Sequence, residues 1–318
     1  MGTPEFAVET LRRLVENGYH VVAVVTQPDK PVGRHQDTLQ PSEVKRYAVS
    51  RQIPVLQPEK MKDPVFIEQL RSYHADLQVV VAFRMLPEVV WAMPRWGTFN
   101  VHAALLPQYR GAAPINWAVI NGETETGVTT FFLDKDIDTG RIIRQKRFTI
   151  TDEANVETVY DGLMRLGADI AIETIDELLL NDGTVPTIAQ EDMLLPEGIV
   201  LMPAPKIFRE TCAINWQQPA KKVYDFVRGL SPYPGAWTNM TAPDGKSTVL
   251  KIFRTAKVQA LRLPSAAVGA VCVSENRLFV KAADNWLEIV ELQLSGKKRM
   301  AARDFLNGIR DIEQYWVE

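Results

Sequence analysis

Two short runs, "HVVAVVT" at 20–26 and "LQVVVAF" at 77–83, carry apolar residues at nearly every position. A strand with one wet face alternates apolar and polar residues, so an unbroken run fits a strand covered on both faces. Stretches with helical spacing lie around these runs. "PEFAVETLRRLVENG" puts Ala7, Leu11, Leu14 and Val15 on one face, with Gly18 placed to end the helix. Helices also fit 42–51, 63–73 and a segment from Pro114, and strands fit 97–102, 127–133 and 141–149. Strands alternating with helices predict a mostly parallel, doubly wound α/β sheet. Such a sheet normally opens with a strand, yet "MGTPEF" begins on a strand-to-helix turn. The first strand is therefore expected to lie outside this chain.

A long helix fits 155–180, where Val156, Val159, Leu163, Leu166 and Ile170 share a face. Thr174 interrupts that stripe, and Ala171, Ile175 and Leu178 continue it slightly rotated. The following 181–206 is rich in proline and glycine, and the pattern changes beyond it. A helix at 218–230 and the breaker "SPYPG" precede short β-like runs near 236–241, 248–254, 269–273, 277–281 and 286–292. A last helix fits 301–309. This is the spacing of a small barrel or sandwich. The 318 residues are thus expected to form a catalytic domain over 1–190, a linker over 191–205 and a β-rich domain over 206–318.

Apolar residues make up 46% of the chain and charged residues 24%, a globular composition. No apolar stretch approaches the roughly 20 residues of a membrane span. Two cysteines, Cys212 and Cys272, offer no disulfide framework, and a reducing cytoplasm fits best. A net charge of −3 argues against a broad basic surface, so nucleic acid could only be met by local patches.

The chain has four histidines, and one stands in "TFNVHAALLPQYRGAAPI" at 98–115. In a strand, Asn100 and His102 point to one face. At the carboxyl end of a parallel strand, where ligands of such sheets bind, the two could hold a carbonyl oxygen and stabilise charge on it. The plainer alternative is a satisfied, half-buried histidine beside a strand-ending asparagine. "DKDIDTG" at 134–140 has acidic residues at alternating positions, but Thr139 and Gln145 stand where a calcium loop needs glycine and glutamate. It is either a plain turn or the means of carrying a carboxylate to the sheet edge, where it could orient His102. Lys30 and Arg34 in "TQPDKPVGRHQ" (26–36) and the basic "SGKKRM" (295–300) belong to surface turns that could also meet phosphates. Dinucleotide, P-loop, serine-hydrolase and zincin motifs are absent from the sequence.

"FNVHAALLPQYRGAAPI" together with "DIDTG" resembles the signature of the folate-dependent formyltransferases. "GTPEFA", "TQPDKPVGR", "INGETETGVT" (120–129) and "SGKKRMAARDFLNG" (295–308) extend the resemblance over nearly the whole chain and favour its tRNA-directed members. The resemblance implies a Rossmann-like catalytic domain followed by a small OB-like β-barrel. It implies transfer of the formyl group of 10-formyltetrahydrofolate to the free amine of methionyl-initiator-tRNA for translation initiation, by a cytoplasmic monomer needing no metal. The catalytic asparagine, histidine and aspartate fall on Asn100, His102 and Asp138.

The folate-contacting segment falls on Ala104, Leu105, Leu106 and Pro107, with alanine where the family usually has serine. The pterin slot falls on Phe83, Arg84, Met85 and Leu86, a run that departs from the family's usual glycine-containing one. Lys30 and Arg34, in the tRNA-inserting loop at 27–40, and Lys297, Lys298 and Arg299 are the implied tRNA contacts. Three alternatives stay open. They are a formyltransferase acting on a sugar-nucleotide amine, a formyltetrahydrofolate hydrolase, and a non-enzymatic OB-type RNA-binding module.

Overall fold

A computed structural model describes residues 1–32, 38–195, 197–258 and 263–318. In chain order the first elements are α1 (Glu5–Glu16), β1 (Val24–Val25), β2 (Lys30–Val32), β3 (Thr38–Gln40), α2 (Glu43–Ser50) and β4 (Val55–Leu56). Then come α3 (Pro64–Arg71), β5 (Gln78–Val81), α4 (Glu88–Trp91), β6 (Thr98–His102) and α5 (Pro114–Ile120). The strands β7 (Glu125–Phe132) and β8 (Ile142–Thr149) and the long α6 (Val156–Leu180) complete the first half. The second half holds α7 (Ala220–Gly229), β9 (Ala236–Thr241), β10 (Ser247–Lys257), β11 (Val271–Ser274) and β12 (Arg277–Lys281). It ends with β13 (Trp286–Leu294), β14 (Met300–Ala301), α8 (Ala302–Leu306) and β15 (Trp316–Val317).

Local chemistry starts several helices where the sequence suggests. Ser42 caps α2 by accepting the Lys45 N–H, and Asp63 caps α3 by accepting the Val65 N–H, with Pro64 inside the first turn.

Two compact units result. One comprises Met1–Gly111, Glu125–Thr149 and Tyr160–Ala204, the other Ala112–Thr124, Ile150–Val159 and Pro205–Glu318. These bounds differ from those drawn on composition. Within the segment set apart there as a linker, Val200, Met202 and Ala204 are hydrogen-bonded to the loop after β6, whereas α5 packs on α7.

In the first unit β1 pairs with β4 and β5 with β6, both in parallel. Strand β7 adds antiparallel to β6, and β8 antiparallel to β7. The turn from β7 to β8 is too short for the crossover that parallel pairing requires, so the sheet is mixed rather than mostly parallel in its second half. The run at 20–26 yields only two paired residues, because Val24 and Val25 alone have ladder partners, in β4. Between β1 and β5, Gly2 donates its N–H to the Val25 carbonyl and Met1 accepts from the Val81 N–H. Gly2 is required there, since a Cβ would sit 2.7 Å from the Val81 oxygen. A cavity of about 440 Å³ lies alongside, lined by Leu11, Val21, Ala23, Val79 and Ile175 among others.

Helix α6 covers β6–β8. A Cβ at Gly162 would lie 2.3 Å from the Phe148 ring, so glycine permits the close approach of helix and strand. Thr174, which interrupts the apolar stripe, is fully buried because its hydroxyl bonds Thr130 Oγ1 at 2.9 Å and donates to the Ile170 carbonyl. Phe99 and Phe131 are also fully buried, and truncating either to alanine costs about 3–5 kcal/mol. They set the height of the strand ends that carry the site.

The second unit holds an antiparallel sheet ordered β11-β12-β13-β10-β9-β15, with β14 on β13. Its two end strands meet through one bridge, Ala270 to Trp316, and among the described residues no continuous ladder closes it into the expected barrel. Asn116 of α5 donates to the Gly229 carbonyl of α7 at 2.8 Å. Asp225 of α7, 2% exposed, accepts from Arg228 and Lys221.

Candidate active site

The site grows from the carboxyl end of β6. Phe99 and Val101 are buried in the sheet, which turns Asn100 and His102 to the opposite face. His102 is 6% exposed and stands edge-on to Phe131, with ring centroids 6.5 Å apart. Its Nε2 lies 2.9 Å from the Tyr109 carbonyl oxygen. A carbonyl only accepts, so Nε2 carries a proton and Nδ1 faces the other way. There it meets Asp138 Oδ2 at 3.7 Å.

Asp138 reaches this position through the turn between β7 and β8. Its backbone is left-handed, with φ of 56°, a conformation that costs a residue with a Cβ about 1–2 kcal/mol. The Asp138 carboxylate accepts the Gly111 N–H at 2.9 Å. Gly111 itself has a φ of 129°, and a Cβ there would come within 2.4 Å of the Ala204 oxygen. A glycine at 140 is needed as well, because a Cβ would meet the Phe132 carbonyl at 1.7 Å.

Asn100 Oδ1 is buried and has no hydrogen-bond partner among the described residues. An unpaired buried polar atom costs about 1–3 kcal/mol, and such an atom beside a histidine–aspartate pair points to a ligand. Next to it, Ala104 and Leu106 are wholly buried and Leu105 partly so. Thr129 donates to the Ala104 carbonyl and accepts the Leu106 N–H, while Gln145 donates to the Leu106 carbonyl. The segment 104–107 is therefore rigid, with its backbone partners supplied by β7 and β8.

The run 83–86 behaves differently. Arg84 lies over the Phe83 ring and turns its guanidinium to the carbonyls of Pro58 and Glu59, so it fastens this loop to the 58–59 segment. Leu86 is buried and Met85 is 67% exposed. A cleft of about 530 Å³ opens beside them, lined by Met61, Met85, Leu86, Trp91 and Lys135.

Among the other sequence candidates, Lys30 is exposed on β2, which pairs with β3. The preceding turn is held by Asp29, whose carboxyl is kept below its usual range by hydrogen bonds from Lys45 and Gln57. Arg34 lies outside the described residues. In the second unit Lys297, Lys298 and Arg299 are exposed, and Arg299 also pairs with Glu291 through two bonds and lies over Phe253. Among the described residues no group of three or more histidine, cysteine, aspartate or glutamate side chains could hold a metal ion.

Sequence reasoning passed over several residues that shape the site. Tyr109 acts through its backbone, Thr129 and Gln145 are ordinary strand residues, and Gln190 lies 52 positions after Asp138, against whose carbonyl it donates. Although Tyr109 and Thr129 stand inside the quoted runs, nothing in these residue types marks the roles, and only the folded backbone brings them in.

An amide and a paired histidine at the carboxyl end of a parallel strand define a site for polarising a carbonyl group. The Formyl transferase family matches residues 1–175, and its C-terminal domain family matches 206–310. The methionyl-tRNA formyltransferase of Parabacteroides distasonis is 59% identical over 318 residues, covering 100% of this chain and 97% of that protein. The enzyme of the same name from Bacteroides thetaiotaomicron is 57% identical, over 99% of this chain and 96% of the relative. A sugar 3N-formyltransferase, WlaRD, determined in the presence of dTDP and 5-N-formyl-THF, shares the fold. Its TM-score is 0.61 at 19% identity, over 93% of this chain and 97% of that one. The chain belongs to the formyl transferase family.

Proposed function

We propose that this chain catalyses the reaction for which its relatives are named. It moves the formyl group of 10-formyltetrahydrofolate to the free α-amine of methionyl-initiator-tRNA, as a monomer in the cytoplasm. The observation that carries the chemistry is the unpaired Asn100 Oδ1 beside a histidine held between Tyr109 and Asp138. The full-length identity with methionyl-tRNA formyltransferases supports the acceptor.

When bound, 10-formyltetrahydrofolate supplies the formyl carbon and, in N10, the leaving nitrogen. Segment 104–107 and the loop 83–86 hold it, with the apolar cleft beside Leu86 as the wall. The buried methyl of Ala104 offers no side-chain hydrogen bond, so this segment binds through backbone and apolar contacts. The Asn100 amide, turned to present its NH₂, holds the carbonyl oxygen as the amine nitrogen adds and charge gathers on that oxygen, and the His102 Nε2–H joins it by leaving the Tyr109 carbonyl. Asp138 orients His102 and stabilises a positive ring while the proton lost by the amine passes toward N10. A C–N bond forms to the methionyl amine and the C–N10 bond breaks.

In the same reading residues 1–190 carry catalysis, the stretch 191–205 follows with Val200, Met202 and Ala204 fastened to the loop after β6, and residues 206–318 form an OB-like tRNA-gripping domain. Lys30, Arg34, Lys297, Lys298 and Arg299 meet the tRNA phosphates, a local contact compatible with a net charge of −3. The test is transfer of labelled formyl to charged initiator tRNA, with uncharged tRNA, an aminosugar nucleotide and water as competing acceptors. Label on the charged tRNA alone is the expected result. Label on the sugar, or release to water, replaces the assigned acceptor.

A further inference from the structure

The side chain of Gln190 is 3% exposed and uses its whole hydrogen-bonding capacity inside the site. Its Oε1 accepts from Arg110 Nε at 3.0 Å and from Arg110 Nη2 at 2.7 Å. Its Nε2 donates to the Asp138 carbonyl at 2.8 Å and to the Gly140 carbonyl at 2.9 Å. Only this orientation of the amide satisfies both sides, because the reverse would set N–H against N–H and oxygen against oxygen.

The four bonds close a circuit around the reacting groups. Arg110 lies between Tyr109, whose carbonyl holds His102 Nε2, and Gly111, whose N–H holds the Asp138 carboxylate. On the other side of the amide, both bonds fall on the turn that keeps Asp138 left-handed at a φ of 56°. The two loops that grip His102 and Asp138 are therefore joined by one amide. The segment after Gln190 strengthens the join: Met202 accepts the Tyr109 N–H at 2.7 Å and Ala204 donates to the Arg110 carbonyl at 2.8 Å. Gln108 is bound to the same segment, donating to the Val200 carbonyl and accepting from the Met202 N–H.

We infer that Gln190 is a positioning residue for the formyl-transfer site, setting the Asp138–His102 geometry without touching substrate. The inference rests on the formyl-transfer reading of the site. Replacing Gln190 frees the Asp138 turn from the Arg110 loop, and a misplacement of about 1 Å at a reacting group costs on the order of 100-fold in rate. Substrate contacts made by 104–107 remain, so KM is spared.

The experiment is a double-mutant cycle on kcat with Gln190→Met and Asp138→Asn. Expected is a loss of about 10- to 100-fold from Gln190→Met in the native background, with KM for donor and acceptor within about 3-fold. In the Asp138→Asn background the same change costs less than about 3-fold, because the route through Asp138 is already cut. Equal losses in both backgrounds, a loss confined to KM, or no loss overturns the proposal. If Gln190→Met does not fold, Gln190→Glu, which keeps the acceptor toward Arg110, serves in the same cycle.

A second readout needs no turnover, so it separates failure of this proposal from failure of the functional reading. The imidazole ¹⁵N resonances of His102, one of four histidines, are expected to move in the Gln190 variant toward those of Asp138→Asn. Unmoved resonances overturn the positioning role even in an enzyme whose acceptor proves to be another amine.

Discussion

Nδ1 of His102 lies 3.7 Å from Oδ2 of Asp138, while Nε2 of the same ring lies 2.9 Å from the Tyr109 carbonyl. The ring is thus anchored on one side by a neutral acceptor and faces a carboxylate on the other. Asp138→Asn keeps an oxygen for the Gly111 N–H but loses the charge. Transfer is expected to fall by about 10²- to 10⁴-fold in kcat with the melting temperature little changed. Steady-state kinetics beside a thermal melt check this, and a variant with undiminished kcat removes Asp138 from the reaction.

Gly140→Ala tests the turn that carries Asp138. The new methyl would stand 1.7 Å from the Phe132 carbonyl and 3.3 Å from the Phe131 ring. The turn must shift, at about 1–3 kcal/mol of stability, and Asp138 shifts with it. Denaturant unfolding and turnover should both register the change. A variant as stable as the parent shows that the turn is looser than the described contacts.

Buried charge in the second unit gives a prediction on stability alone. Asp225 is 2% exposed and Arg228 7%, and the two are joined at 2.8 Å. Asp225→Ala leaves a buried guanidinium without its partner, which costs about 3–5 kcal/mol. The double variant Asp225→Leu with Arg228→Met should recover most of that loss, measured by urea unfolding. A double variant no more stable than Asp225→Ala contradicts this account.

Cys212 is 1% exposed and Cys272 7%, and burial pushes both thiols above their usual range. Both are free. At neutral pH a thiol reagent is expected to modify neither in the native protein and both after denaturation. Rapid labelling of either thiol in the native state contradicts its buried placement.

Much of the architecture is legible in the residues. The helix at 155–180 was set by its apolar spacing to within a residue of the observed Val156–Leu180, and α2, α3 and β6–β9 likewise fall close to their expected ranges. Asn100 and His102 stand out as polar groups at period two in an apolar run, but their roles, and the choice of Asp138 among the acids of 134–140, rest on the resemblance. What was not visible depends on pairing. The run at 20–26 reads as a long strand, but only Val24 and Val25 find partners. The antiparallel pairing of β8 on β7 goes with a short turn, whereas that of β7 on β6 spans the long connection through α5, and the residues alone declare neither. Gln190 was beyond reach for another reason. An amide joining two loops 80 and 52 positions away has no periodicity, and only the completed fold reveals its four bonds.

The most direct measurement is single-turnover formyl transfer to methionyl-initiator-tRNA by the parent, Asn100→Ala and His102→Ala, with donor and tRNA binding measured separately. The account predicts that both variants bind the two substrates nearly as the parent does and transfer formyl at least about 100-fold more slowly. Parental transfer rates in either variant would contradict it.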